Sequence, residues 1–430
     1  MRKPILRKPK LRNVLAVATA AGIALTGSLG VARPAAQAAS PVTLIFWNGP
    51  DTTGTVPTLI SNFNKMEAGK IKVVLQTQSS DTGQYFVNLQ RTIRAGNVTP
   101  DVFAGDVIWP AQLAGQNLIL PVDKYFTTAA QKQYIPGTIQ DVQYGGHTYG
   151  APWFTDFGMV YYRKDLLAQY KLSIPTSWEQ LQSEAKSLVA KHAVREGFVF
   201  QGSQYEGLVC NALEFVNGAG GRIYGPTAAS TQMQAAQGLA TMRGMITSGA
   251  SPQAVTAYKE ADTANDFENG LAAFARNWPY MWAIVQGAGS KVVGKVGVLP
   301  MLHEPGKPGY STLGGWWLGI NKNTKNADQA WTFINYLISS EQEQYYAIHG
   351  GHAVAMVSAN DNPAVQAANP FLKTVASQLQ ILPRPTSPVY NDISLRMQQD
   401  FHNALTGSTS PEAAVKDVES FIQVAQARFH

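Results

Sequence analysis

Short apolar runs along the chain alternate with stretches whose apolar positions recur three and four residues apart, and this alternation predicts strands joined through helices. Positions 42–46 have the unbroken apolar character of a strand buried on both faces, and Trp47-Asn48-Gly49-Pro50 follows with turn chemistry. A helix over 57–65, a strand over 71–75, a helix over 86–95 and a strand over 101–104 ending at Gly105-Asp106 continue the pattern. Such alternation implies a largely parallel sheet covered by helices, an α/β fold. Further on, 159–162 reads as a strand, and Thr176 with Glu179 spells a capping box. The helix after it carries Trp178, Leu181, Ala185, Leu188 and Val189 on one face. A second capped helix starts near Asn326, with Trp331 on its apolar stripe, and a last one opens at Ser410-Pro411.

Three short segments interrupt the alternation: 149–153, 296–300 and 349–352, the first two with Gly and Pro close together. Several short crossings of this kind make two discontinuous lobes that move by hinge bending. The expected division is 41–151 with 301–349 in one lobe, and 152–300 with 350–430 in the other.

The chain has 430 residues, enough for two or three folding units, and its 45% hydrophobic and 14% charged content is globular. The formal charge of +6 is concentrated at the start, where seven of the 34 basic residues flank an apolar run from Val14 to Val31 with no acid. That is the pattern of a signal peptide over 1–38, with cleavage after Ala36-Gln37-Ala38. The 27 basic residues that follow face 28 acidic ones, a balance that gives a nucleic-acid surface no clustered positive charge. The single cysteine, Cys210, allows no intramolecular disulfide and reads as a small buried apolar residue, and no cysteine ends the signal to carry a lipid. The expectation is an exported protein in a periplasm, held together by core packing.

Enzyme motifs are scarce. No nucleophile elbow, phosphate loop or HExxH helix occurs, Gly218-Ala219-Gly220-Gly221 reads as a plain turn, and His349 with His352 has two glycines where a metal site would need helix. No metal or cofactor is expected. The tryptophans are more informative. Trp109, Trp153, Trp278, Trp316 and Trp317 fall beside Gly, Pro or Asn, where a large ring can line a cleft, whereas Trp178 and Trp331 sit on helical stripes and belong to a core. Asp106 ends a strand run, where open α/β sheets bind ligands, and Asp156 follows Trp153. Ionised carboxylates accept strong hydrogen bonds from paired hydroxyls, so a polyhydroxylated ligand is the match. Arg384, between two prolines, can donate to its oxygens. Paired carboxylates beside tryptophans also suit a secreted glycoside hydrolase, with Asp106 and Asp156 as the pair. A binder of peptides or phosphate esters would need a basic cleft, for which only Arg384 presents itself.

Taken together, Pro100-Asp101-Val102-Phe103 with Asp106-Val107-Ile108-Trp109, Tyr161-Tyr162-Arg163-Lys164-Asp165, Pro175-Thr176-Ser177-Trp178-Glu179, Phe267-Glu268-Asn269-Gly270 leading to Asn277-Trp278-Pro279, and Leu313-Gly314-Gly315-Trp316-Trp317 resemble the solute-binding proteins of carbohydrate ABC importers, in pattern the maltose- and trehalose-binding proteins. The order and spacing agree over nearly all of 41–430. The resemblance implies a type II periplasmic-binding-protein fold, a monomer that closes on a di- or oligosaccharide and passes it to the transmembrane subunits of a permease. The family's binding positions carried over fall on Asp106, Asp156, Trp278, Gly315, Trp316 and Arg384, with Phe154 and Tyr390 as wall residues. Two departures stand out: the loop after the first strand offers Asp51 as its acid, and Phe154 stands where a Tyr hydroxyl is common.

Overall fold

The computed structural model describes residues 40–427 except Ser377, Leu379 and Thr386; the expected signal peptide lies outside the described residues. The strands of the two larger sheets, in chain order, are β1 (Val42–Asn48), β2 (Ile71–Thr77), β3 (Val102–Asp106), β4 (Gly150–Phe157), β5 (Met159–Arg163), β6 (Glu196–Val199), β7 (Ala272–Asn277), β8 (Val296–Leu299), β9 (Tyr310–Ile320), β10 (Ala353–Val354) and β11 (Gln380–Leu382). Two sheets hold the site. The first runs β10-β4-β9-β3-β1-β2, with β11 on the start of β9, and the second runs β8-β5-β7-β6. The pairs of β1 with β2 and with β3 are parallel, as the βα alternation demands, while β9 enters antiparallel between β3 and β4.

Buried side chains follow this division. Leu44, Phe46, Val102 and Ala104 pack with Phe63, Phe333 and Tyr346 on one face of the first sheet, and Phe103 and Trp317 pack with Tyr85 and Phe86 on the other. The second sheet buries Tyr161, Phe198 and Phe274 against the helices Trp178–Ala190, Glu206–Gly218 and Tyr390–Thr406. The result is the two-lobed α/β architecture expected, with the lobes meeting where the strands of both sheets end.

Local expectations hold with shifts that have physical causes. The helix before Leu181 starts one residue late: Ser177, not Thr176, is the cap, its hydroxyl accepting from Gln180 N at 3.2 Å. Gln180 rather than Glu179 reaches back, accepting from Thr176 N at 3.0 Å. The Gly-rich Gly218–Gly221 segment ends the helix Glu206–Gly218, as read, with Gly220 at φ +84°.

The three crossings fall later in the chain than their Gly and Pro content suggested. Residues 149–153 mostly lie within β4, and 296–299 form β8 at the edge of the second sheet. Gly150 and Gly297 serve close approach instead of turning: a Cβ on Gly150 would lie 2.4 Å from Leu318 O, and one on Gly297 would lie 2.3 Å from the Tyr162 ring. After Gly351, Ala353 and Val354 pair with Thr155 and Phe154. Ala353 still touches the core of the second sheet, Val354 to Val365 pack with the first, and buried residues from Phe371 onward belong again to the second.

Candidate functional site

A cavity of about 390 Å³ opens where the two sheets meet, lined by the ends of β1, β3, β4 and β7, by β9 at Gly314 to Trp316, and by the starts of the helices Glu206–Gly218 and Glu260–Glu268. In open α/β sheets this end of the strands is where ligands bind, because the loops there are free of strand pairing and helix N-termini face the gap. Asp51, Asp106, Phe154, Asp156, Trp278, Gly315, Trp316 and Arg384 all line it; of the expected positions Tyr390 alone does not.

Trp316 is placed by sheet register. It pairs with Asp106 on β3 and Phe154 on β4, and the register slips at the next residue, leaving Trp153 as an extra residue in β4. Behind Trp316 lie Tyr85, stacked at 6.2 Å, and Trp109, edge-on at 6.0 Å. Gly315 is obligatory: φ is +125° and a Cβ would sit 2.5 Å from Phe154 O. Trp278 follows the last residue of β7 and rests on the buried Arg276 guanidinium, 3.8 Å from its ring centroid. Arg276 is itself fixed by Glu214, which it meets through Nε at 2.8 Å and Nη2 at 2.6 Å.

The other turn tryptophans do not reach the cavity. Trp153 and Trp317 are fully buried and Trp109 nearly so. Trp153 stacks on Tyr346 at 4.9 Å, Trp317 donates Nε1 to Asp106 O at 3.0 Å, and Trp109 packs between Tyr85 and Phe86. Turn chemistry marks where a ring can face a cleft but not which side of the strand it leaves. Trp178, stacked on Phe215, is core as expected, and Trp331 is half-buried against Tyr125.

Two of the acids have different duties. Arg384 donates to both oxygens of Asp106, at 2.6 and 3.1 Å, and to Glu206 at 2.9 Å, so its guanidinium joins a strand end of the first lobe to a helix start of the second. Tyr390 lies behind this triad, not on the wall, its hydroxyl donating to Glu206 at 2.6 Å. Asp156 is the opposite case. It is buried, its Oδ1 has no partner, and burial holds its carboxyl well above the usual range against the pull of Arg276. Asp51 caps its loop: its oxygens accept from Thr53 N at 2.8 Å and Val56 N at 2.7 Å, which starts the helix Thr55–Met66.

Sequence reasoning missed Tyr205, Glu206, Lys259, Glu260, Tyr280, Tyr346 and His352, all on the lining. Glu206 opens the helix that follows β6, where the strand-end rule used for Asp106 applies, whereas Glu260 opens a helix after a 3-10 turn and carries no such signal. Glu260 accepts from Tyr205 at 2.7 Å and Trp278 Nε1 at 3.4 Å. The lining carries six carboxylates against Lys259 and Arg384, which disfavours an anionic ligand. Cys210 is free and buried, and among the described residues no three His, Cys, Asp or Glu converge to hold a metal ion.

Comparison with known proteins bears on the family and the fold. The sequence profile of the bacterial extracellular solute-binding proteins matches residues 49–344. A probable ABC transporter-binding protein of Deinococcus radiodurans is 33% identical over 367 residues, 83% of this chain and 86% of its own. The maltose-bound structure of T. maritima MalE3 superposes with a TM-score of 0.84 at 32% identity, covering 89% of this chain and all of the other. A solute-binding protein of Agrobacterium radiobacter in complex with ribitol, at 24% identity and a TM-score of 0.78 over 89% of this chain and 98% of its own, shares the fold. A two-lobed α/β chain with a cleft at its strand ends, matched along most of its length, belongs to the bacterial extracellular solute-binding proteins.

Proposed function

We propose that the protein captures an uncharged sugar between its lobes and hands it to the transmembrane subunits of an ABC permease. The observation that carries this is the pairing, in one cavity, of two half-exposed indoles with a buried carboxyl whose Oδ1 has no partner. Indoles cover the C–H faces of a sugar ring, and the carboxyl hydrogen-bonds its hydroxyls. The cavity volume suits a disaccharide, and the maltose carried by MalE3 supports a maltose- or trehalose-like glucoside as the ligand. The protein works as a monomer in the periplasm, and ligand acts by stabilising the closed arrangement, where contacts from both lobes are available together. Among the described residues no helix is long and apolar enough to cross a membrane.

The hydrolase reading falls with the family, which binds and does not cleave. Asp106, one of the pair it needed, is neutralised by Arg384. The test is a thermal-shift and calorimetric screen with maltose, trehalose and ribitol, with the sugars recovered and analysed. A rise in melting temperature with intact sugar is expected, and a panel of sugars that leaves it unchanged removes the proposal.

A further inference from the structure

A column of aromatic rings crosses from the first lobe to the second beside the cavity. Trp153 stacks on Tyr346, Tyr346 stacks on His352 with centroids 4.2 Å apart and planes 9° apart, and His352 faces Tyr280 at 6.0 Å. Phe154 closes one side of His352 at 4.4 Å. Trp153 Nε1 and His352 Nδ1 both lack a partner in this column, but of the two residues only His352 lines the cavity. His352 is only 8% exposed, its Nδ1 has no partner, and among the described residues no hydrogen bond reaches either nitrogen. Its Cδ2 edge faces Gly350, so Nδ1 lies on the side turned away from that backbone. Burial pushes the imidazole down to about 3, with Asp51 opposing, so the ring is neutral at working pH and holds one N–H donor and one bare acceptor.

Buried polar groups without a partner are costly and call for an explanation, and here the residue lines the ligand cavity. A hydroxyl both donates and accepts, so it satisfies either nitrogen; a carboxylate or phosphate only accepts and meets the acids around it. We infer that His352 is a specificity-determining residue that exchanges a hydrogen bond with one hydroxyl of an uncharged polyol lying against the column. The inference rests on the sugar reading above and adds to it a residue that selects among sugars by the presence of that hydroxyl. A site built around a buried polar group rejects the analogue lacking its hydroxyl, because the group is then left unpaired.

The test is calorimetry on the full protein and on His352→Phe, which keeps a ring in the column and removes both nitrogens. The ligands are maltose, trehalose and ribitol, followed by the monodeoxy derivatives of whichever sugar the wild type binds best. His352→Phe is expected to melt within about 2 °C of wild type and to bind the parent sugar about tenfold more weakly or worse. One deoxy position should then weaken wild type about tenfold yet weaken the variant less than about twofold. Parent binding equal to wild type, or the same penalty at every deoxy position in both proteins, overturns the inference and leaves the sugar reading standing. Should His352→Phe fail to fold, the deoxy series on His352→Gln decides: a changed hydroxyl preference supports the inference and an unchanged one overturns it. Wild type that binds none of the ligands overturns both.

Discussion

At Trp316 and Trp278 the cavity wall is one indole packed against Tyr85 and Trp109 in one case and against the Arg276 guanidinium in the other. Rings held this way lose little freedom on binding, so their contact area is realised almost fully as affinity. Trp316→Ala is expected to weaken sugar binding by more than about tenfold, on the order of 1.4 kcal/mol, measured by calorimetry. Asp156 makes a separate, ligand-free prediction. Its folded carboxyl keeps a proton that the unfolded chain gives up near the ordinary Asp value, so its stability is fully present below that value and is lost as pH rises toward the folded one. Asp156→Asn stays neutral throughout. Its stability relative to wild type should therefore climb from about pH 4 upward, by at most about 1.4 kcal/mol per pH unit, in denaturant titrations. A difference that is flat with pH would mean that Asp156 does not titrate there.

At the scale of single elements, caps and glycines carry the local specification. Ser177→Ala removes the acceptor for Gln180 N at the head of the helix Trp178–Ala190 and should cost about 1 kcal/mol in unfolding free energy, with ligand affinity unchanged. Gly315→Ala is expected to cost more, about 1–3 kcal/mol, because it adds a Cβ at 2.5 Å from Phe154 O on a backbone at φ +125°. It should also lower affinity, since the same peptide positions Trp316. These elements were largely legible beforehand. Strand and helix periods, the cap near Thr176 and the stripe through Leu181 need only neighbouring residues. The one-residue shift of the cap arose because Gln180, as well as Glu179, can reach back. The late crossings arose because a glycine that admits a neighbouring ring looks the same in sequence as one that turns the chain.

At the scale of the molecule, the cleft is bridged by charge. Besides the buried Asp106–Arg384–Glu206 triad, Lys259 Nζ lies 3.6 Å from Asp81 Oδ2, joining the start of the helix Glu260–Glu268 to the cap of the helix Thr82–Arg94 across the opening. The pair is partly exposed and therefore weak and screened by salt. Lys259→Met should release ligand faster in stopped-flow, with affinity lower by about two- to fivefold at low ionic strength and a difference that fades in high salt. Equal salt dependence in both proteins would show that the pair does not hold the lobes.

The amino-acid sequence by itself determined the α/β alternation, the balance of charge in the chain after the expected signal, and the candidate residues at strand ends, because each depends on periodicity or on turn chemistry within a few positions. Only the tertiary structure decided which of those candidates share a surface. Asp106 and Arg384 are 278 residues apart, and nothing local to either says that Arg384 is spent on Asp106 and Glu206 while Asp156 is left without a partner. The same holds for the tryptophans, separated into wall and core by sheet register, and for His352, which joins the aromatic column only when three distant segments pack together. Pairing between remote groups depends on the three-dimensional packing of both lobes, and a linear pattern carries no record of it.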